Sequence, residues 1–166
     1  MNLRRAGRAA LIGLAALALA ALATAIAGSA MGLFSGTRPA DLGLRDGKLR
    51  GGDWRPNWVS SQVAPSDEGH FILPLACMGD AVAAWAALER AILEQPRATL
   101  VTRSPGYLHA EFASKAMGFV DDAEFALDAR AGVIHVRSGA RLGVRDFGVN
   151  RKRVESLRKI MMRARR

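Results

Sequence analysis

The sequence predicts an α+β domain behind an N-terminal membrane segment, and three observations carry that prediction. Residues Ala9 to Thr37 hold no charged side chain. Two later stretches repeat apolar residues at helical spacing, and between them run four segments in which apolar and polar residues alternate as half-buried strands do. The order is strand, helix, four antiparallel strands, helix. At 166 residues, half of them hydrophobic, the chain has room for one compact domain and an appendage.

The first element is the uncharged run. A helix needs roughly 20 apolar residues to cross a bilayer, and residues 9–34 read as a transmembrane anchor. A cleaved signal is the alternative, since "AIAGSA" (25–30) offers a small-residue cleavage site. The apolar stretch continues past that site through Met31, Leu33 and Phe34, which favours the anchor. Arg4, Arg5 and Arg8 mark residues 1–8 as a basic cytoplasmic N-terminus by the positive-inside rule. The expected location is therefore the inner membrane, single-pass, with the domain in the periplasm, or the periplasm itself after signal cleavage. Residues 35–65 are rich in Gly, Pro, Asp and Ser and read as a linker docking on the domain through Trp54 and Trp58. Ser60 and Ser61 lack a GxSxG setting and read as turn formers.

The domain proper is expected over residues 66–166. "GHFILPLA" (69–76) reads as its first strand. Asp80 can cap "DAVAAWAALERAILEQP", where Val82, Trp85, Leu88 or Glu89, and Ile92 recur at helical spacing before Pro96. "ATLVTR", "YLHAEFAS", "FVDDAEFALD" and "GVIHVRSGAR" follow as strands, the last two joined through Gly132. A helix from about Val149, capped by Asn150, ends the chain with a stripe of Val154, Leu157 and Ile160 or Met161. Two helices covering one sheet face and leaving the other open resemble the TATA-binding-protein type of α+β fold.

Strand alternation groups His109, Glu111, Asp122, Glu124, His135, Arg137 and Arg141 on the polar face, with Phe112, Phe125, Ile134 and Val136 opposite. Glu111, Asp122, Glu124 and His135 are thus the candidates for acid–base or metal chemistry. A ladder of cross-strand ion pairs uses the same residues without catalysis. Asp121 and Asp122 are neighbours on one strand, point to opposite faces and cannot act as a pair. Arg141, Asn150 and Arg151 are candidates for holding an anion at the start of the last helix.

Other spellings are excluded. "DFG" at 146–148 has no kinase machinery around it, and "SLRK" at 156–159 lacks the partner motifs of penicillin-binding enzymes. Cys77 is the single cysteine, so there is no internal disulfide and no thiolate metal cage. Arg4, Arg5 and Arg8 carry +3, and eight Lys or Arg against Glu155 give residues 151–166 +7, leaving about −1 of the net +9 for the body. Basic ends on a neutral body do not make a nucleic-acid-binding face. The tail "KIMMRARR" instead fits anionic lipid head groups.

The strings "RPADLGLRDGKL", "RPNWVSSQ", "HFILPL" and "YLHAEFASKAMGFVDDAEFALDARAGVIHVRSGARLGVRDFGVNRKRVESLR" resemble the family catalogued as domain of unknown function 1499, over residues 38 to 160. The resemblance implies an envelope protein behind a signal or membrane segment and implies no particular activity. It also implies a cysteine pair in a "PCPxxPNCVSS"-like stretch, where this chain has Gly52 and Trp58, and an arginine at the position of His109. The expected function is a noncatalytic binding or accessory module for an anionic ligand or lipid head groups, with no cofactor. The alternative is a metal-dependent or acid–base enzyme using the polar face.

Overall fold

A computed structural model describes residues 3–163. α1 (Leu3–Ala30) is followed by a two-stranded ribbon, β1 (Leu44–Arg45) and β2 (Lys48–Leu49). The main sheet contains β3 (Trp58–Ser60), β4 (Leu75–Ala76), β5 (Ala98–Ser104), β6 (Tyr107–Ala113), β7 (Val120–Asp128) and β8 (Val133–Ala140). α2 (Ala81–Leu93) precedes β5, and α3 (Val149–Arg163) ends the described chain. The sheet runs β3-β8-β7-β6-β5, antiparallel throughout, with β4 also on β8. The class is α+β, as expected.

Each element has a local cause. The uncharged run is helical as far as Ala30, within α1, and its Leu11–Ala30 portion is long and apolar enough to cross a bilayer, a property a signal sequence near an N-terminus shares. Asp80 caps α2 by accepting the N–H groups of Val82 and Ala83. Gly132 closes the β7–β8 hairpin at φ 66°. α2 and α3 lay Leu88, Ala91, Ile92, Val154, Leu157 and Met161 on Leu108, Ala110, Phe112, Phe125, Ile134 and Val136. Each such fully buried large side chain contributes on the order of 1.5–3 kcal/mol relative to exposure.

Several expectations need correction. Residues 69–76 do not form one strand: Pro74 interrupts them, leaving a bridge at Phe71 and the short β4. Val82 is exposed, because Leu88, Ala91 and Ile92 already fill the inward stripe of α2. Of the two linker tryptophans, Trp58 is buried in β3 and Trp54 is 76% exposed. Asn150 is not the cap of α3. Asp146 is, its carboxylate accepting the N–H groups of Gly148 and Asn150 at 2.9 Å each.

The largest difference concerns the polar face, which is covered. Residues 36–53 run across it: Leu49 packs on Tyr107 and Ala126, Arg38 reaches Glu111, and the Gly43 N–H donates to Glu124. Asp46 and Gly47, both at positive φ, turn the ribbon back so that Leu49 lands there.

Candidate functional site

The register of β6, β7 and β8 sets His109 beside Glu124, Glu111 beside Asp122, and Glu124 beside Arg137. On this framework Asp122 accepts from His109 Nε2 (2.8 Å) and, through both oxygens, from Arg141 (2.7 and 2.8 Å). Glu111 accepts from the same Arg141 Nη2 and from Arg38 Nε (2.7 Å). Burial alone would raise the Asp122 carboxyl, but the hydrogen bonds and charges of Arg141 and His109 outweigh it and hold it at about 2. The same balance lowers Glu111, while the Asp122 and Glu111 carboxylates raise Arg141 above its usual range.

The potential ligand atoms of His109, Glu111 and Asp122 lie within 4.8 Å of one another, a spacing that suits a cation. Arg141 Nη2 touches both carboxylates, so a guanidinium already stands between them. A metal ion would have to displace it.

Glu124 belongs to the next tier. Its Oε1 accepts from Tyr107 Oη (2.8 Å) and Gly43 N (2.7 Å), and burial followed by the Glu124 charge pushes the Tyr107 hydroxyl upward. Its Oε2 takes no donor among the described residues and faces Arg137 Nη1 at 4.0 Å. His135 stands apart, opposite Ala126, within 3.3 Å of Ser61 Oγ. That hydroxyl also accepts the Val136 N–H, so the pair ties the exit of β3 to β8. Of Glu111, Asp122, Glu124 and His135, the fold therefore joins Glu111 and Asp122 through Arg141, sets Glu124 beside Arg137, and leaves His135 outside.

Arg141, Asn150 and Arg151 do not surround a common space. Arg141 lies on the polar face. Asn150 is buried on the helix side, accepting from Ser138 Oγ (2.6 Å) and donating to the Asn57 carbonyl (3.2 Å) and Asp146 (3.0 Å). Arg151 donates to the carbonyls of Phe71, Gly69 and Glu68. Their nearness in sequence around the start of α3 concealed that the sheet divides them. Asp121 faces α3 and pairs with Arg153 (2.6 Å), and burial raises its carboxyl despite that partner.

Sequence reading missed a cleft of about 410 Å³ beside β3, lined by Arg50, Arg55, Arg137, Asp41, Asp53 and Trp58 among others. Asp41 accepts Arg50 Nη1 on both oxygens (2.9 and 3.1 Å). Asp53 accepts Arg55 through two nitrogens, and those bonds hold its carboxyl at about 2. Arg137 is 3% exposed and donates only Nε, to the Gly51 carbonyl at 3.3 Å, among the described residues. Burial, then the neighbouring Arg50 charge, push it down to about 10. The Trp58 indole forms one wall, stacked on His70 at 4.0 Å and held by its Nε1–H to the Asp53 carbonyl. Three arginines from positions 50, 55 and 137 share no spacing that a linear reading could detect.

A family model described as Protein of unknown function (DUF1499) matches residues 53–161. The chain belongs to that family. No curated protein and no solved structure matched it. Within the DUF1499 stretch lie Arg55, Trp58, Arg137 and the whole His109–Asp122–Arg141 group, whereas Arg38, Asp41 and Arg50 precede it. The matched stretch thus supplies one wall of the cleft, and the covering segment supplies the other. The positions where the resemblance implied a cysteine pair are in direct contact: a Cβ on Gly52 would come within 2.0 Å of the Trp58 ring.

Proposed function

We propose that this protein is a membrane-tethered, noncatalytic binding module that holds a small oxyanion, phosphate or a chemically similar group, in the Arg50–Arg55–Arg137 cleft. In this reading α1 is the tether and the domain lies in the periplasm. The observation that carries the binding role is Arg137, a buried guanidinium at a cleft whose nearest carboxylate is 4.0 Å away. A buried charge without a close partner is costly, and an anionic ligand offsets that cost. Asp41 and Asp53 are each engaged by their own arginine, which leaves further guanidinium N–H groups for a ligand.

Titration calorimetry of the full-length detergent-solubilised protein with inorganic phosphate tests the reading. Wild type should bind saturably, and Arg137→Gln should weaken binding about 10- to 100-fold, the loss expected for one charge-assisted hydrogen bond. An exposed turn variant, Arg130→Gln, should bind like wild type. Equal isotherms for wild type and Arg137→Gln would refute the cleft as the site.

The spacing of His109, Glu111 and Asp122 favours a second reading, a metal-dependent site on the polar face. Stoichiometric metal in the purified full-length protein, lost in Asp122→Asn, would support it over the first.

A further inference from the structure

The end of the domain where α1 emerges has an unusual surface. The last turn of α1 and the residues after it pack on the loops at one end of the sheet: Ser29 lies against Gly118, the Phe34 and Phe119 rings sit 5.7 Å apart, and Gly36 abuts Arg141 and Leu142. The loop that receives Gly36 continues as "RLGVRDFGV" (141–149), in which Leu142, Val144, Phe147 and Val149 are all exposed. Asn57 Nδ2 donates to the Gly143 carbonyl (2.7 Å) and brings the neighbouring Trp54 loop to the same end. Phe147 is 87% exposed and held at φ 53°, a conformation that side chains larger than glycine avoid. The turn is fixed, because the Asp146 carboxylate binds the N–H groups on its far side. An aromatic ring locked outward gains nothing from its own fold.

Resting on the proposal that α1 is a tether, we infer that this end of the domain lies on the bilayer α1 enters, with Leu142, Val144, Phe147 and Trp54 at the headgroup–acyl boundary. The apolar span ends at Ala30, and Gly36, six residues on, already touches Leu142, so the loop cannot sit far from the membrane surface. Tryptophan and phenylalanine partition to that boundary. Exposed Arg97, Lys115 and Arg145 flank the loops of this end and suit anionic head groups. Its carboxylates oppose them little: Asp53 is exposed but paired with Arg55, Asp146 caps α3, and Glu94 is exposed with no ion pair among the described residues. α3 begins here and runs away, Met161 and Met162 lying with Leu75 and Met78 at the far end, so the described part of the basic tail points away from this surface.

Nitroxide labels on the full-length protein in phosphatidylethanolamine–phosphatidylglycerol vesicles test this, with Cys77→Ala removing the native thiol. Labels are placed singly at Leu17→Cys, Val144→Cys, Phe147→Cys and Arg130→Cys, and their exposure to oxygen and to a water-soluble nickel complex is compared. Labels at 17, 144 and 147 should favour oxygen and the label at 130 should favour nickel. A lipid-embedded label at 17 with water-exposed labels at 144 and 147 overturns the docking and leaves the tether standing. A water-exposed label at 17 overturns both. In phosphatidylcholine vesicles the 144 label should move toward water, and an unchanged depth would remove the role of the cations.

Discussion

Gly52 and Trp58 show how one residue's missing side chain is used. The indole occupies the space where a Cβ on Gly52 would stand, while Gly51, its neighbour, has open space around it. Gly52→Ala should therefore destabilise the protein by about 1–3 kcal/mol through overpacking, and Gly51→Ala should leave the urea midpoint nearly unchanged. Intrinsic tryptophan fluorescence would report whether the ring has moved. Asp122 makes a second prediction at this scale. Its folded pKa of about 2 lies below the unfolded value, so its contribution is present above pH 4 and is lost as pH falls toward 2. Asp121 is shifted upward and acts in the opposite sense, so the two must be separated by substitution. Asp122→Asn should lower stability at neutral pH by about 3 kcal/mol, since Arg141 and His109 lose a buried partner. It should also flatten the decline between pH 4 and 2 in denaturation series.

At the scale of elements, α3 depends on the aspartate of its "DFG" spelling. Asp146→Ala should cost about 1 kcal/mol, the usual worth of an N-cap, and Asp146→Asn should retain most of it. Chemical denaturation of both variants checks this, and equal losses would mean that charge rather than capping matters. The helices and long strands were legible because their periods are local properties: Asp80, Gly132 and the alternation in β7 each announce themselves within a few residues. The cap of α3 was misassigned because Asp146 and Asn150 are both capping residue types, and only the turn at Phe147, with its positive φ, decides between them. β3 was missed because three residues inside a polar linker make too short a pattern, and their pairing with β8 spans about half of the chain.

The whole molecule is organised by the segment that crosses the polar face. That face was expected to be open, since alternation reports which residues share a side but not what lies above them. With Arg38, Gly43 and Leu49 in place, Glu111 and Glu124 become half-buried and buried partners of the covering strap, Asp122 is buried against His109 and Arg141, and the cleft forms at the border between strap and family domain. No local signal foretold that, because Arg50 and Arg137 meet across 87 positions of sequence. In the proposed function the oxyanion sits in this cleft and the His109–Asp122–Arg141 group serves as fastening. The most direct measurement follows the guanidinium Nε–H signals by nitrogen-15 NMR during a phosphate titration of the full-length protein in micelles. Arg50, Arg55 and Arg137 should shift together and saturate at one midpoint while Arg141 stays still. Movement of Arg141 with an unchanged Arg137 would put the anion on the polar face and refute the cleft.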